Sequence, residues 1–256
     1  MDLGALIKGK HVFVTGASGG LGAHFARLYA ANGAVVSVGA RRADRLASLV
    51  EELRQLGAAQ ALAVSLDVAD EASVAAAVSE AEAALGPIDV VVNNAGISRP
   101  YPALQLSAPD FDDVIATNLR GVWLVCADLG RRWQKAGRPG VIVNIASILA
   151  ERVAGALVPY AASKAAVVQM TKALALEWAR YGIRVNALAP GYIETDINSD
   201  FFHTETGEAM VKRIPMRRLG RPQELDGALL LLSTDASSWM TGEVIAVDGG
   251  HRVSTL

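Results

Sequence analysis

Residues 15–22 read Thr-Gly-Ala-Ser-Gly-Gly-Leu-Gly, and this glycine-rich stretch decides how the chain around it folds. A β-branched run from His11 to Thr15 precedes it, and a helical pattern follows to about Ala31. A strand, a glycine-rich turn and a helix in this order are typical of a nucleotide-binding unit, because glycines let the backbone approach a pyrophosphate at the helix N-terminus. The glycines are spaced G-x-x-x-G-x-G rather than the more common G-x-G-x-x-G. The stretch predicts a phosphate-binding turn, with a ligand-free helix cap as the alternative.

The end of the second predicted strand, which covers residues 34–39, carries the next informative side chains. In a nucleotide-binding unit the adenosine ribose binds here: an acidic residue binds the 2′-hydroxyl of NAD, whereas an arginine accommodates the 2′-phosphate of NADP. Ala40, Arg41 and Arg42 occupy this place, and guanidinium groups suit phosphate recognition. NADP is therefore favoured over NAD, although the same arginines would also suit the solvated start of a helix.

Five further β-strands are predicted at helix-length intervals along the chain. They cover residues 60–66, 88–92, 141–146, 183–188 and 244–247. Strands that alternate with helices form right-handed βαβ units and a parallel sheet, and a hydrophobic fraction of 52% suits a sheet buried on both faces. We therefore expect an α/β fold with one doubly wound, parallel, seven-stranded sheet, helices on both faces, and a single domain across residues 1–256.

Tyr160 and Lys164 form the most suggestive side-chain pair in the sequence. Residues 159–181 read as a helix, and positions i and i+4 of a helix share a face. The pKa of a phenol is about 10, and a nearby ammonium would lower it toward the range in which a side chain moves protons at neutral pH. The pair is thus a candidate acid/base, although a tyrosine and a lysine four residues apart also occur by chance on helix surfaces.

Several predicted strands end in polar or glycine-containing segments, at the sheet edge where ligands of parallel sheets bind. These segments contain Asp67 and Val68, then Asn94, Ala95 and Gly96, then Ser147, and finally Pro190 and Gly191. Asn118 lies in an apolar run between two predicted helices, where a polar side chain needs a partner. Each segment taken alone would also suit a plain turn.

Together these stretches strongly resemble the short-chain dehydrogenase/reductase family, from about Lys10 to Gly250. The resemblance rests on the glycine-rich turn, Asp67, residues 93–96, Asn118, Ser147, Tyr160 with Lys164, and Pro190 with Gly191, all in the family's order. It implies a Rossmann-type sheet, a bound nicotinamide cofactor, a small-molecule carbonyl or alcohol substrate, and a homotetramer or homodimer.

The resemblance also implies roles for individual residues. Tyr160 would be the general acid that protonates a carbonyl oxygen, and Ser147 would position that oxygen. Lys164 would lower the pKa of Tyr160 and bind the nicotinamide ribose, while Asn118 would hold a water that joins Lys164 to solvent. The implied cofactor contacts are Gly16, Ser18, Gly20, Leu21, Gly22, Arg41, Arg42, Asp67, Val68, Asn94, Ala95, Gly96, Tyr160, Lys164, Pro190, Gly191, Ile193 and Thr195.

One position departs from many NADP-preferring members of that family, which carry a basic residue directly before the second glycine of the turn. Gly19 occupies this position. The expected preference for NADP therefore depends on Arg41 and Arg42, with Ser18 beside them.

The substrate is expected against the segments that follow the fourth and fifth strands. The residues expected to contact it are Ser147, Leu149, Val153, Leu157 and Tyr160, with Ser98 and Arg99 opposite. Residues 196–215 are the least regular part of the chain, and we expect a substrate lid at about residues 193–215. Mostly apolar walls favour medium-sized ketones or 3-oxo esters over small sugars or dicarboxylates.

Charge and composition argue against several other classes of protein. A net charge of −2 offers no basic surface for nucleic acid or an anionic membrane. No apolar stretch reaches the roughly 18 residues of a membrane span, and no signal peptide is recognisable. The single cysteine, Cys126, is expected in the core, which fits a reducing compartment. We expect a soluble, cytoplasmic protein without a metal site.

The leading hypothesis is an NADP-dependent oxidoreductase that interconverts a ketone and a secondary alcohol, with Tyr160 as its acid/base. The alternative enzyme is a reductase of 3-oxoacyl thioesters carried by acyl carrier protein or coenzyme A, because residues 190–196 look like those enzymes. Arg131, Arg132 and Arg138 would offer such a carrier a basic patch, or would be a solvated helix end. A cofactor-binding sensor or scaffold is the alternative from another class, but it would not need the complete set of four catalytic residues.

Overall fold

A computed structural model describes residues 2–195, 202 and 204–254, and seven strands of that part of the chain form one sheet. The strands are β1 (His11–Thr15), β2 (Val35–Ala40), β3 (Gln60–Ser65), β4 (Val90–Asn93), β5 (Gly140–Ile145), β6 (Ile183–Pro190) and β7 (Val244–Val247). All neighbours pair in parallel, in the order β3-β2-β1-β4-β5-β6-β7. The predicted α/β fold with a parallel seven-stranded sheet is confirmed.

Helices of the described residues cover both faces of this sheet. They are α1 (Gly20–Ala31), α2 (Ala43–Leu56), α3 (Glu71–Leu85), α4 (Ala108–Ile115), α5 (Gly121–Ala136), α6 (Val158–Trp178), α7 (Glu205–Val211) and α8 (Asp226–Ser233). One apolar core packs α1, α2 and α8 against the sheet, and a second packs α3, α5 and α6 against its other face. The five inner strands are largely buried on both faces, which explains their runs of consecutive apolar residues, whereas the edge strands β3 and β7 are only partly buried.

The sixth strand continues two residues beyond the predicted end at Leu188. Pro190 closes β6 because its position pairs with Val247 at the end of β7. Hydrophobicity marks the buried middle of a strand, but its end depends on how far the neighbouring strand runs. The longer β6 carries its last residue to the edge where the other loops meet.

Cys126 lies in the second core, on α5, and is fully buried. Its sulfur accepts a hydrogen bond from the Asn93 amide at 3.2 Å and donates one to the Asn144 side-chain oxygen at 3.8 Å. Burial raises the pKa of the thiol to about 12. The expected packing role in the core is confirmed, and the thiol stays protonated at neutral pH.

The strand order reverses between β1 and β4. The chain crosses from β1 outward through β2 and β3, then returns to the other side of β1 with β4. At such a switch point the loops after the two central strands leave in opposite directions and open a crevice for a ligand. The glycine-rich turn after β1 and the Asn94 loop after β4 form this crevice.

Candidate active site

Side-chain hydrogen bonds join the two loops of the crevice. Thr15 ends β1, and its hydroxyl accepts bonds from the backbone N–H groups of Asn94 and Ala95, both at 3.1 Å. The Asn94 amide donates in turn to the carbonyl oxygens of Thr15 and Gly16, at 3.1 and 3.2 Å. The structure therefore brings the predicted cofactor residues of both loops together.

The glycines of the turn allow a close backbone approach. A Cβ atom on Gly16 would lie 2.6 Å from the Cα atom of Ala95, and one on Gly22 would lie 2.4 Å from the carbonyl oxygen of Gly16. Gly16 also has a φ of 68°, which disfavours other residues. Gly20 and Leu21 open α1, whose first N–H groups have no partner within the helix. This cradle of backbone N–H groups fits a pyrophosphate.

Arg42 lies over this turn. Its Nε and Nη2 atoms donate to the Ser18 hydroxyl at 3.2 and 2.8 Å, and Nη2 is 3.8 Å from where a Cβ on Gly19 would lie. A guanidinium therefore stands beside Gly19, although that position itself carries no basic side chain. Arg41 is exposed and makes no hydrogen bond to the residues that the structure describes. Of the two predicted arginines, Arg42 is the one placed at the turn.

Asp67 and Val68 follow β3, beside the end of β2. The Asp67 carboxylate accepts the N–H of Ala69 at 3.0 Å, and the Asp67 N–H donates to the Ser73 hydroxyl at 2.9 Å. Val68 is buried and packs on α5, where a Cβ on Gly121 would lie 2.8 Å from it. These contacts fix the loop at the predicted adenine end of the crevice.

Asn118 is fully buried in a π-helical turn, Ala116–Arg120, between α4 and α5. Its side chain accepts the N–H of Ile97 at 2.8 Å and donates to the Ile97 carbonyl at 2.9 Å and to the Ser163 hydroxyl at 3.2 Å. Single π-helical turns occur frequently at functional sites. This one places a polar link between the loop after β4 and α6, so the polar residue within an apolar run has its partners.

Tyr160 and Lys164 lie one turn apart on α6, as predicted. The Lys164 ammonium is 5.6 Å from the centre of the Tyr160 ring and donates to the Ile145 carbonyl at 2.7 Å. Burial lowers the pKa of Lys164 to about 8. A Cβ on Gly96 would lie 3.7 Å from the same ammonium, so the glycine leaves the space in front of Lys164 open.

The pKa of Tyr160 departs from the expected direction. Burial raises it, a hydrogen bond with the Ser147 side chain lowers it in part, and the charge of Tyr192 raises it further. The expected lowering of the Tyr160 pKa is wrong, because desolvation disfavours the phenolate. Tyr160 is therefore a protonated phenol at neutral pH, held against Ser147.

The segment after β6 places further predicted cofactor residues at the same edge. Pro190 ends the strand, and a Cβ on the next residue, Gly191, would lie 2.7 Å from the Cα atom of Asp248. Ile193 is buried, and Thr195 is the last residue of this segment that the structure describes. The close backbone approach explains why the position after Pro190 is a glycine.

The predicted substrate wall is only partly apolar. Leu149 is buried, and its N–H donates to the Ser147 hydroxyl at 3.1 Å. Val153 is 89% exposed, so it does not form a wall of the pocket together with the residues that the structure describes. Arg99 forms a 2.6 Å ion pair with Asp113 instead of standing free beside the pocket. Burial of hydrocarbon by this wall is therefore smaller than the sequence suggests.

Part of the predicted lid at residues 193–215 lies outside the described residues, namely positions 196–201 and 203. Phe202 is buried, and its ring centre lies 5.6 Å from that of Tyr192. A cleft of about 690 Å³ lies between Glu194, Phe202 and α7. The described part of the segment thus borders open space.

Sequence reasoning misses three polar residues at this edge: Arg152, Tyr192 and His251. The Tyr192 and His251 ring centres are 5.2 Å apart, and Arg152 donates to the His251 carbonyl oxygen at 2.7 Å. The three residues belong to the segments after β5, β6 and β7. Arg152 and His251, the two most distant in the sequence, are 99 positions apart. The signal that could have found them is their common position just after a strand end.

Two kinds of feature are not found in residues 2–195, 202 and 204–254. No group of three or more His, Cys, Asp or Glu side chains there could hold a metal ion. No helix of the same residues has the length and apolar character needed to cross a membrane.

The sheet, the phosphate cradle and the Ser147–Tyr160–Lys164 cluster together define a Rossmann-type oxidoreductase. Comparison with known proteins agrees: residues 16–252 match the family model described as Enoyl-(Acyl carrier protein) reductase. Gluconate 5-dehydrogenase of Gluconobacter oxydans is 39% identical over 97% of this chain and 96% of its own. A 3-oxoacyl-[acyl-carrier-protein] reductase of Chlamydia pneumoniae is 38% identical over 94% and 96%.

A solved structure gives the same result. Gluconate 5-dehydrogenase of Burkholderia cenocepacia, crystallised with NADP and tartrate, superimposes with a TM-score of 0.93 at 36% identity, covering 100% of both chains. The chain therefore belongs to the short-chain dehydrogenase/reductase family. The predicted family and enzyme class are confirmed.

Proposed function

We propose that this protein interconverts a ketone and a secondary alcohol with NADP(H), and that Tyr160 carries the proton. The observation that carries the proposal is the half-buried, protonated Tyr160, whose phenol lies near enough to Ser147 for that side chain to lower its pKa in part, one helical turn from Lys164. A phenol in this state can donate a proton to a carbonyl oxygen. The non-catalytic alternative has no use for such a cluster.

The cofactor is NADP(H). Arg42 stands at the turn where a 2′-phosphate would lie, bonded to Ser18, and the homologous Burkholderia enzyme holds NADP. Gly16, Gly20 and Gly22 would hold the pyrophosphate, and Asp67 and Val68 would hold the adenine. When bound, the nicotinamide supplies a hydride to the carbonyl carbon.

The chain's own groups act on the oxygen of the substrate. Ser147 donates a hydrogen bond that positions the carbonyl oxygen, and Tyr160 delivers its proton there as negative charge develops. Lys164 would bind ribose hydroxyls and support the Tyr160 phenolate once the proton has left. Asn118, through Ile97 and Ser163, would keep α6 and the loop after β4 in register and support resupply of the proton.

The direct test is a panel of ketones and aldehydes with the purified chain, with NADPH oxidation followed by absorbance. We expect turnover of at least one ketone, and NADP⁺ reduction with the corresponding secondary alcohol. The panel should include acetoacetyl thioesters and polyhydroxylated ketones. Stoichiometric NADPH binding without any turnover across the panel would favour the sensor or scaffold alternative.

Removing the Arg42 guanidinium should weaken the preference for NADPH. Arg42→Gln should lower kcat/KM with NADPH by roughly 10- to 100-fold, the effect of losing a charged hydrogen bond to phosphate, and leave NADH kinetics nearly unchanged. Arg41→Gln should have a smaller effect, because Arg41 is not held over the turn. Arg45→Gln, an exposed arginine on the same helix, is the control. An equal loss with both cofactors would place Arg42 outside the 2′-phosphate site.

Two of the three arginines suggested as a carrier-protein patch are already paired. Arg132 bonds Asp128 at 2.7 Å and Glu82 at 3.2 Å, and Arg138 lies in an ion pair with Asp89. Their charges are therefore largely neutralised within the chain. Similarity to the Chlamydia reductase still supports the 3-oxoacyl-thioester alternative. The surface at Arg132 and Arg138 does not support it, because these arginines are paired.

We also propose that residues 193–215 cover the bound substrate.

We further propose that the protein is a homotetramer or homodimer. Phe111, Trp123 and Leu176 are 38%, 42% and 84% exposed on α4, α5 and α6. Large apolar side chains exposed on neighbouring helices suit a self-complementary interface. Light scattering at micromolar concentration should give two or four times the single-chain mass, and a monomeric mass would contradict the proposal.

A further inference from the structure

Three polar side chains form a connected group that begins at Tyr192, which acts on Tyr160, and proton transfer does not need them. Tyr192 lies close enough for its charge to act on Tyr160, and its ring centre is 5.2 Å from that of His251. Arg152 reaches the same place from the loop after β5, and Arg152 also acts electrostatically on Tyr192. We call Arg152, Tyr192 and His251 the polar cluster. It extends away from the reacting oxygen at the same edge of the sheet.

The imidazole of His251 has an unsatisfied atom. The residue is 8% exposed, and its Nδ1 atom is buried without a hydrogen-bond partner among the described residues. Leaving a buried polar atom unpaired is costly, so such atoms in native proteins usually have a partner in the functional state. A ligand that turns the imidazole on binding would supply the missing partner.

Arg152 has one half of its guanidinium fixed and the other half available. Its Nη1 atom donates to the carbonyl oxygens of His251 and Ser254, at 2.7 and 3.1 Å, and to the Ser254 hydroxyl at 3.0 Å. Its Nε and Nη2 atoms make no hydrogen bond to residues 2–195, 202 or 204–254. An anchored guanidinium with two free parallel donors is the geometry that binds a carboxylate in a bidentate manner.

The neighbouring carboxylates do not neutralise Arg152. Asp248 accepts the N–H groups of Gly250 and Arg252, at 2.9 and 2.6 Å. Glu151 lies 3.3 Å from the Arg252 guanidinium across the same two segments. Among the described residues Arg152 therefore has no acidic partner.

The charges around His251 also favour an anionic ligand. Burial lowers its pKa, the charges of Arg152 and Arg213 lower it further, and Asp248 opposes them. The imidazole is neutral at neutral pH, so the positive charge of this region belongs to the arginines. The region offers a net positive potential together with a neutral hydrogen-bonding ring.

We propose that the polar cluster is a subsite for a carboxylate of the substrate, so that the ketone reduced at Tyr160 is an oxo acid. Arg152 binds the carboxylate, and His251 and Tyr192 bind polar groups between it and the carbonyl. The inference rests on the proposed reaction and specifies its substrate class. The sequence led us to expect an apolar substituent on the substrate, on the basis of wall residues such as Leu149 and Val153. Arg152 and His251 favour a carboxylate instead.

A matched pair of ketones tests the charge requirement. We compare 5-oxohexanoate with its methyl ester, using NADPH and the full chain, and include a hydroxylated oxo acid of similar length to distinguish simple from sugar-derived acids. Wild type should prefer the acid by about tenfold or more in kcat/KM, mainly through KM, as expected for a charged hydrogen bond. Equal KM values for acid and ester would overturn the proposal.

Variants separate ligand binding from anchoring of the C-terminal segment. Arg152→Gln should raise KM for the acid about tenfold or more, with little change for the ester. Arg152→Lys, which keeps the charge but loses the fork, should lie between. Arg252→Gln breaks the neighbouring Glu151 pair and should keep the preference for the acid. An equal loss of kcat/KM on the acid and on the ester in Arg152→Gln would show that Arg152 only anchors the segment that contains His251 and Ser254.

A binding measurement distinguishes failure of the subsite from failure of the proposed reaction. Glutarate should raise the Tm of the NADP⁺-bound wild type saturably, and should not do so in Arg152→Gln. Dimethyl glutarate should have no effect on either. If no carbonyl is reduced while glutarate still stabilises the protein through Arg152, the reaction fails and the subsite stands. If the ester is reduced and glutarate gives no shift, the subsite fails and the reaction stands.

Discussion

Tyr160→Phe should lower kcat on the order of 100-fold or more and leave NADPH binding intact. The substitution removes the phenolic oxygen that hydrogen-bonds with Ser147 and keeps the ring beside Lys164. Without it, the carbonyl oxygen has no proton donor at the moment the hydride arrives. Steady-state kinetics with a turned-over ketone, together with NADPH titration by fluorescence, would measure both quantities.

The pH dependence should follow the raised pKa of Tyr160. Since burial keeps the phenol protonated, reduction should show no loss from this group through neutral and mildly alkaline pH, whereas oxidation of the alcohol should increase toward alkaline pH. Tyr181→Phe removes a hydroxyl just beyond the end of α6 and should keep wild-type turnover. Near-normal turnover of Tyr160→Phe would contradict the assignment of Tyr160 as the general acid.

Lys164→Met should produce a protein that folds at least as stably as wild type and has little activity. The ammonium is buried, and it donates a hydrogen bond to the Ile145 carbonyl at 2.7 Å. Removing a buried charge without a counterion relieves desolvation, while turnover should fall on the order of 100-fold and NADPH affinity about tenfold or more. Denaturant unfolding, kinetics and cofactor titration of the same preparations would show this separation of stability from activity.

The pH dependence of stability gives an independent check. The pKa of Lys164 is about 8 in the folded protein against an ordinary value of 10.5. Between these values the unfolded chain binds more protons, so this group makes the free energy of unfolding rise with pH from about 8 to 10.5. Lys164→Met should lack that rise, and Lys172→Met, an exposed lysine on the same helix, should retain it. Identical pH profiles for wild type and Lys164→Met would contradict a buried, charged lysine.

The order of elements could be predicted from the sequence, because each βαβ unit carries local signals. The glycine-rich turn marks β1 and α1, and β-branched runs mark the buried strands. Strand ends were less predictable: β6 runs on to Pro190 because β7 pairs with it there. Pairing depends on a neighbour from a distant part of the chain, which hydrophobicity of the strand itself does not report.

The placement of the candidate catalytic residues was also predictable, but not all of their chemistry. Tyr160 and Lys164 have the correct spacing and meet on α6, yet the pKa of Tyr160 is raised, chiefly because burial disfavours the phenolate. Spacing reports which side chains meet and does not report how much water they lose. Arg152 and His251 follow β5 and β7, with β6 between these strands in the sheet. A position after a strand end predicts the sheet edge for each residue, but it does not predict that the two meet.

The buried thiol of Cys126 makes this chain convenient for site-specific labelling. It is the single cysteine of the sequence, and with a pKa raised to about 12 it offers no thiolate to a maleimide while the protein is folded. A cysteine introduced at the exposed Met216 would therefore be the one reactive thiol of the native protein. A fluorophore attached there would report ligand-induced movement beside Gly249, in the segment after β7, without any background substitution.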